Sequence, residues 1–236
     1  MNEYNINRRQ MIRMSSLAAL STVATPAVAV TKSTSPDIEG SKIDLTKNEI
    51  CFSNALDLAA LLRKKKISAR EVMQAHLQQI KNVNPKVNAM VTMVPEDQLM
   101  AEALAADESL AKGNLIGPLH GLPIAVKDLM ETKGIRTTSG SPLYKDLIPS
   151  QDSLIVEREK KAGAIVIGKS NVPELGLGSQ TFNPIFGPTF NPYDTSKTCG
   201  GSTGGGAVAL ACGMTPLADG SGTWGVHSET RVASTM

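Results

Sequence analysis

The chain has 236 residues, of which 41% are hydrophobic, and this is enough for the core of one large α/β domain or two small ones. Its 24 basic and 22 acidic side chains give a formal charge of +2 without a long block of one sign, so a nucleic acid partner is not expected. Aromatic residues make up only 3%, which argues against stacking platforms for bases or sugars, and no Cys or His spacing is typical of a zinc site.

The first 29 residues are predicted to be an export signal that resembles the twin-arginine type. Arg8 and Arg9 precede a weakly apolar run, which contains the small-residue triplet Ala27–Ala29. This run contains Ser, Thr and Pro and is too polar for stable insertion into a membrane. We therefore expect a bacterial protein that is exported, to the periplasm or outside the cell. Residues 30–49 are expected to form a flexible, turn-rich lead-in.

Two helices are predicted at the start of the folded part, which is expected to span residues 50–221. Leucines between positions 56 and 62 fall on one side of a helix that Ser53 could cap. A second helix is expected to start at Ser68, because Glu71 follows at the spacing of a capping box.

Later segments alternate between helical and extended patterns. Residues 87–94 are expected to be extended, and residues 95–112 to form an alanine-rich helix opened by proline. The apolar runs at 122–126 and 164–168 are typical of strands buried on both faces, with a helix at 153–162 between them. We therefore predict an α/β fold with a mixed, mostly parallel sheet that is covered by helices.

Residues 163–170, GAIVIGKS, match the spacing of a phosphate-binding loop. In such a loop the four residues after the first glycine form a cradle of amide hydrogens around the phosphate. Here those residues are Ala, Ile, Val and Ile, which are typical of a strand. We therefore expect a buried strand that ends at Lys169 and no nucleotide site.

The histidines and cysteines of the predicted folded part are expected to have structural roles. His76 and His120 lack a credible catalytic partner. Cys51, Cys199 and Cys212 are too scattered for a disulfide framework, and small buried thiols are favoured over a Cys199 to Cys212 bridge.

Lys127 is a candidate catalytic base because it lies at the end of a predicted buried strand, in GPLHGLPIAVKD. Burial disfavours a charged ammonium group and lowers the pKa of a fully buried lysine by up to about 3–5 units. A neutral lysine can accept a proton from a neighbouring hydroxyl.

A glycine-rich segment at 198–214 is the second candidate. Glycines on both sides of Ser202 and Thr203 allow unusual backbone angles and close approach of another group, and the run is expected to pass into a helix near Gly206. Residues 207–212 are small or apolar, as in a tightly packed buried helix. Hydroxyls and free amide hydrogens at a helix start suit proton relay and oxyanion binding, although such a turn alone is more often a simple loop.

Three segments together resemble the amidase-signature family. They are AVKD at 125–128, GGSTGG at 200–205 and PLADGS at 216–221. The similarity runs from about Ser53 to Ser221, and these segments are long and specific. The resemblance implies the N-terminal part of the amidase-signature fold, which would be incomplete in this chain.

The resemblance also implies the roles of individual residues. Members of this family use a lysine, a serine held by a cis peptide bond and a second, nucleophilic serine. Carried over by position, Lys127 is the base and Ser202 relays the proton, while Thr203 keeps a hydroxyl near the site. Gly200 and Gly201 belong to the expected substrate-binding and oxyanion region. The implied reaction is hydrolysis of a small-molecule or peptide amide through an acyl-enzyme, without a metal or organic cofactor.

The sequence departs from the family at the nucleophile. The nucleophilic serine should lie 24 residues after Ser202, in a segment of the type D-x-G-G-S-x-R, but that position is Val226. If the reading frame shifts after Ser221, the permitted codons include those for D-M-G-G-S-L-R-N-P. Our hypothesis is that residues 222–236 are an aberrant tail, produced by a mutation or a sequencing error. The chain as printed would then be an unstable and inactive part of a family member.

Two other functions are compatible with the sequence. One is a non-catalytic binding protein that keeps the pocket without the nucleophile. The other is the amidotransferase A-type subunit of the same family, which acts on aminoacyl-tRNA with partner subunits. An export signal argues against the second, because charged tRNA is cytoplasmic.

Overall fold

The structure is a computed structural model that describes residues 46–221. Within this span the helices are α1 (Lys47–Phe52), α2 (Ala55–Arg63), α3 (Ala69–Val87), α4 (Glu96–Ala111), α5 (Leu154–Lys161) and α6 (Gly204–Ala211). The strands are β1 (Met90–Met93), β2 (Pro123–Lys127), β3 (Ile165–Ser170), β4 (Phe182–Asn183), β5 (Gly187–Pro188), β6 (Phe190–Asn191), β7 (Asp194–Thr198) and β8 (Leu217–Ala218). Short 3-10 helices occupy Pro142–Tyr144 and Glu174–Gly176.

Several predictions fall on residues that the structure does not describe. The predicted signal at 1–29, most of the lead-in at 30–49 and the tail at 222–236 lie outside the described residues. Helix α1 begins at Lys47, slightly before the expected start of the folded part. No helix between residues 46 and 221 is both long and apolar enough to cross a membrane.

A four-stranded mixed sheet forms the centre of the described part. Its spatial order is β1, β3, β2, β8. Strand β1 is antiparallel to β3, whereas β3 and β2 pair in parallel, as do β2 and β8. Two of these three pairings are parallel, so the predicted mixed, mostly parallel sheet is confirmed.

Both faces of the two central strands are covered. On one face Ile124 and Val126 of β2 pack in a cluster with Val156 of α5. On the other face Ala125 of β2 and Ile167 of β3 belong to a larger core that includes residues of α3 and α4. Because successive side chains of a strand point to opposite faces, a strand buried on both sides needs an unbroken apolar run. This is the physical reason for the continuous pattern in the sequence.

The predicted cap of α2 is wrong by one residue. The Asn54 side-chain oxygen accepts a hydrogen bond from the Asp57 backbone N–H at 2.9 Å, which makes Asn54 the N-cap. Ser53 instead ends α1, and its hydroxyl donates to the Glu49 carbonyl at 2.7 Å. Since Ser53 closes the preceding helix, the extended residue after it opens the next one.

The start of α3 confirms the predicted capping box. The Ser68 hydroxyl accepts from the Glu71 backbone N–H at 3.1 Å, and the Glu71 carboxylate accepts from the Ser68 N–H at 2.8 Å. Asp107 of α4 adds a carboxylate there, accepting from the Ala69 N–H at 2.6 Å and from Arg70 Nε at 2.9 Å. A negative charge is favourable at this positive end of the helix dipole.

The boundaries of α3 and α6 differ from the predictions. The segment at 87–94 was expected to be extended throughout, but α3 continues to Val87 and ends at Asn88, which has a left-handed φ of 52°. The helix of the glycine-rich segment starts at Gly204, two residues before the expected Gly206. Acceptors from other parts of the chain bind the first amides of this helix: Thr181 Oγ1 accepts from the Gly204 N–H at 3.1 Å, and the Asn171 carbonyl accepts from the Gly205 N–H at 3.3 Å.

The segment that resembles a phosphate loop is a buried strand, as predicted. All six residues of β3 are buried, and the strand extends to Ser170, one residue beyond the expected end. The Lys169 ammonium donates to the Met130 carbonyl and, at 2.8 Å, to the Thr132 hydroxyl. It is therefore held by the loop that follows β2.

The cysteines form no bridge between positions 199 and 212, because Cys212 carries a free thiol. Cys51 is buried, as expected for a small apolar side chain. Cys199 and Cys212 are only partly buried, so the prediction of buried thiols holds for one of the three.

Candidate active site

The structure brings together the end of β2 and the turn before α6. Lys127 is the last residue of β2 and is fully buried. Its Nζ lies 3.0 Å from Ser202 Oγ and 2.9 Å from Thr203 Oγ1. Ser202 and Thr203 are only partly buried. The two predicted site segments, 75 residues apart in the chain, therefore form one cluster, whereas the catalytic roles of these residues remain predictions.

Ser221 belongs to the same cluster and was not predicted as a site residue. Lys127 Nζ donates to the Ser221 carbonyl at 2.9 Å and lies 3.2 Å from Ser221 Oγ. The Ser202 hydroxyl lies 3.4 Å from the same carbonyl oxygen. Ser221 ends the PLADGS segment, but its contact with Lys127 depends on β8, which pairs in parallel with β2 and so ends at the same edge of the sheet.

The turn that carries Ser202 has the backbone geometry that the family resemblance implies. The peptide bond between Gly201 and Ser202 is cis. Gly200 has a φ of +81°, in the left-handed region that favours glycine. A Cβ added to Gly201 would lie 2.9 Å from Thr181 Oγ1, so a larger residue would not fit there without movement. The proposed oxyanion role of Gly200 and Gly201 remains a prediction.

Asp219 fixes the backbone next to the site. One carboxylate oxygen accepts a hydrogen bond from the Lys127 N–H, and the Asp219 N–H donates to the Ala125 carbonyl at 3.1 Å. Burial raises the pKa of Asp219, and the hydrogen bond from Lys127 and the charge of Lys169 oppose this shift. Asp219 thus links β8 to the end of β2 and holds Lys127 in register. It belongs to the PLADGS segment, but nothing in the sequence distinguishes its carboxylate.

Lys169 is a second fully buried lysine, on the opposite face of the sheet. It pairs in register with Val126, and neighbouring residues Val126 and Lys127 point to opposite faces. Burial lowers the pKa of Lys169 to about 8, while the charges of Asp128 and Asp219 act in the other direction. The amines of Lys127 and Lys169 therefore lie on opposite faces of the sheet, and only that of Lys127 faces Ser202.

Two histidines have structural contacts, as predicted. His76 Nδ1 donates to the Gly213 carbonyl at 3.0 Å. His120 Nδ1 accepts from the Ile116 N–H at 3.2 Å, and its Nε2 donates to the Ala106 carbonyl at 3.1 Å. Val226, the position expected for the nucleophile, lies outside the described residues.

The family model for amidases matches residues 71–225, which is more than half of the chain. The chain belongs to the amidase family. The match includes all three segments on which the family resemblance was based, and that resemblance is confirmed.

Curated relatives of this amidase-family chain include proteins with two different names. It is 43% identical over 178 residues to the A-type subunit of glutamyl-tRNA(Gln) amidotransferase from Acidothermus cellulolyticus, covering 75% of this chain and 35% of that protein. It is 44% identical over 167 residues to the indoleacetamide hydrolase of Bradyrhizobium diazoefficiens, covering 71% of this chain and 32% of the relative. The chain therefore spans about a third of the length of these curated relatives.

Solved structures of the amidase family share the fold. A bacterial aryl acylamidase of the amidase signature family has a TM-score of 0.67 and 30% sequence identity, covering 71% of this chain and 35% of that one. A protein from a vestigial complex related to the origins of an s-triazine catabolic enzyme has a TM-score of 0.69 and 36% identity, covering 72% and 37%. These similarities confirm the predicted fold class for the part of the fold that this chain covers.

Proposed function

We propose that this amidase-family protein hydrolyses the C–N bond of a small-molecule or peptide amide, with Lys127 and Ser202 as the proton-transfer pair. The observation that carries the proposal is the 3.0 Å contact between a fully buried lysine amine and a partly buried serine hydroxyl. An amine buried in this way is poorly solvated when charged, which favours the neutral form that can act as a base.

The oxygen atoms around Lys127 define the path of the proposed proton transfer. Lys127 Nζ donates to the Ser221 carbonyl and to the hydroxyl oxygens of Thr203 and Ser202. For the proposed step the Ser202 hydroxyl would turn from the Ser221 carbonyl, which it contacts at 3.4 Å, to the lone pair of the neutral amine. Ser202 would pass its proton to Lys127 and take one from the nucleophilic serine. That serine would attack the amide carbonyl, and the tetrahedral intermediate would collapse to an acyl-enzyme as Ser202 returns a proton to the leaving amine. Water would then release the carboxylic acid.

The nucleophile is the missing part of this mechanism. The family match ends at residue 225, directly before Val226, which stands where the nucleophilic serine is expected. A frame shift after Ser221 permits D-M-G-G-S-L-R-N-P, which puts a serine in place of Val226 and glycine amides before it for the oxyanion. We propose that the chain as printed does not hydrolyse amides, and that the protein encoded by the shifted frame does.

Sequencing of the coding DNA through the Ser221 codon is the first test, and it should show the shift. The protein made from the restored frame, with its downstream sequence, should then hydrolyse a member of a panel of aliphatic, aromatic and peptide amides. Lys127→Ala and Ser202→Ala should each lower kcat by at least about 10³-fold, as is usual for cooperating catalytic groups. A fluorophosphonate probe should label the restored protein and leave the printed chain unlabelled.

Other outcomes would support different functions. An intact frame that encodes Val226, with no amidase sequence downstream, would contradict the frame-shift proposal and favour a non-catalytic binding protein. A restored protein whose hydrolysis is unchanged in Lys127→Ala would contradict the assigned proton-transfer pair.

The amidotransferase A-type subunit is the second candidate, favoured by the names of several relatives at 41–46% identity. The predicted export signal opposes it, and we propose that the protein is exported to the periplasm or beyond. Cell fractionation distinguishes the two functions. Recovery outside the cytoplasm supports the amidase, whereas a cytoplasmic protein that copurifies with partner subunits and tRNA supports the amidotransferase.

A further inference from the structure

The N-cap residue of α6 does not cap its own helix. The first N–H groups of a helix have no partner within it, and a Ser or Thr at the N-cap normally accepts one of these hydrogen bonds. Thr203 is the N-cap of α6, but its side chain makes no capping hydrogen bond. Its hydroxyl lies 2.9 Å from Lys127 Nζ instead. The helix start therefore needs another acceptor.

Thr181, in a distant part of the chain, binds the first amide of the helix, and the Asn171 carbonyl binds the second, the Gly205 N–H, at 3.3 Å. Thr181 Oγ1 accepts from the Gly204 N–H, the first of the helix, at 3.1 Å and donates to the Gly200 carbonyl at 2.8 Å. The Thr181 backbone N–H also donates to the Gly200 carbonyl, at 2.9 Å. Thr181 is only 1% exposed, so water cannot readily replace these contacts. One side chain thus holds both ends of the turn that carries Ser202.

The glycine pattern of the turn fits the Thr181 side chain. A Cβ on Gly201 would lie 2.9 Å from Thr181 Oγ1, and a Cβ on Gly204 would come still closer to the same atom. Glycine at these two positions makes room for the hydroxyl as well as for the turn. The hydroxyl therefore lies in a hollow formed by the turn itself.

We propose that Thr181 is a positioning residue for the proton-transfer pair. Its hydroxyl joins the Gly200 carbonyl to the Gly204 N–H, and this tie holds Ser202 at hydrogen-bonding distance from the amine. The Asn171 carbonyl accepts from the Gly205 N–H at 3.3 Å, an amide that a Thr203 cap could otherwise take, so the Thr203 hydroxyl is left for contact with Lys127. The catalytic consequence rests on the proposed function, whereas the positioning itself does not. Without the Thr181 hydroxyl, the Gly204 N–H loses its acceptor and the turn that carries Ser202 loses the side-chain tie between its two ends.

Hydrogen exchange of the Gly204 amide tests the positioning in the 236-residue chain as printed. Thr181→Val keeps the shape of the side chain but removes the hydroxyl, and Thr181→Ser keeps the hydroxyl. We expect the Gly204 amide to exchange about tenfold faster in Thr181→Val, as for the loss of one capping hydrogen bond, and close to the wild-type rate in Thr181→Ser.

Thr137→Val is the matched control, because Thr137 is equally buried and donates its hydroxyl to the Ile135 carbonyl at 3.0 Å. It should leave Gly204 exchange unchanged relative to β3 amides. Equal Gly204 exchange in wild type and Thr181→Val, or a wild-type Gly204 amide that exchanges freely while the β3 amides are protected, would overturn the proposal.

The kinetic effect is measured in the restored-frame protein. Thr181→Val should lower kcat about tenfold or more while KM changes less than about twofold, and Thr181→Ser should recover most of kcat. Absence of hydrolysis in every protein, wild type included, would count against the proposed function and leave the exchange result to decide the positioning. Faster Gly204 exchange with unchanged kcat would overturn the catalytic consequence alone.

Discussion

Lys127, Lys169 and His76 are all fully buried, and their surroundings differ. The amine of Lys127 contacts hydroxyls at a helix start, as the proposed proton transfer requires. Lys169 is bound by the loop after β2, and the charge of Asp128 favours its ammonium form. His76 donates to the Gly213 carbonyl inside the core. At the scale of single residues, the chemistry of the neighbours therefore separates a candidate base from two structural groups.

The buried imidazole of His76 predicts a loss of stability in acid. Burial lowers its pKa to about 4 from an ordinary value of 6.5, and the Gly213 carbonyl only partly opposes this shift. Below pH 6.5 the unfolded chain takes up a proton that the folded chain excludes, so the free energy of unfolding should fall between pH 6.5 and 4. The full effect is about 3 kcal/mol, at about 1.4 kcal/mol for each pKa unit. Urea unfolding of wild type and His76→Gln across this range measures it.

The pH dependence of wild type alone would not isolate His76, because Glu159 also titrates in this pH range. Burial, reinforced by the charge of Asp219, raises the pKa of Glu159 to about 7 from 4.5. Its contribution has the opposite sign, because stability is present below pH 4.5 and is lost as the pH rises through 7. Both proteins share this contribution, so their difference isolates His76. Parallel pH dependence in wild type and His76→Gln would contradict the prediction.

At the scale of elements, the side chains that cap helix starts are of two kinds, local and distant. Helices α1 and α3 each have a capping box formed by residues three apart, Thr46 with Glu49 and Ser68 with Glu71. These pairs are local and readable from the sequence. Helix α6 depends on Thr181, which lies 23 residues before the amide it binds. Local caps determine where a helix begins, whereas a distant cap also ties the helix to another segment.

Removal of the local cap of α3 should lower the stability of the fold by a moderate, measurable amount. Ser68→Ala should lower the free energy of unfolding by about 1 kcal/mol, because the Glu71 N–H loses its acceptor at the helix start. Ser150→Ala changes an exposed serine and serves as the control, with an expected effect near zero. Chemical denaturation measures both variants, and equal stability in the two would argue against the capping box as a source of stability.

The sheet and its two covered faces define the molecule as a whole. Strand β3 lies between β1 and β2, and its side chains contribute to the cores on both faces. The site cluster lies where β2 and β8 end side by side, so the sheet that provides the core also provides the position of Lys127. Stability of the core and geometry of the site are therefore linked.

A large-to-small change in β3 tests the role of the central strand. Ile167 is fully buried, and Ile167→Ala should lower the free energy of unfolding by about 2–5 kcal/mol through lost burial and a new cavity. Ile148 is 62% exposed, so Ile148→Ala deletes the same atoms with an expected change within about 0.5 kcal/mol. The prediction fails if denaturation midpoints of the two variants coincide.

The sequence by itself determined the features that depend on neighbouring residues. The sequence predicted the capping box at Ser68, the buried strands β2 and β3 from their continuous apolar runs, and the glycine-rich turn. The resemblance to the amidase-signature family then paired Lys127 with Ser202. The cap of α2 was missed by one residue, because Ser53 was already engaged by α1.

Only the tertiary structure decided which distant groups surround that pair. Thr181 and Asp219 act through partners 23 and 92 residues away, and the order β1, β3, β2, β8 puts Ser221 beside Lys127. A cap or an apolar run is a property of contiguous residues, so the sequence displays it directly. A hydrogen bond between distant segments depends on how the whole chain packs, and no local pattern encodes it.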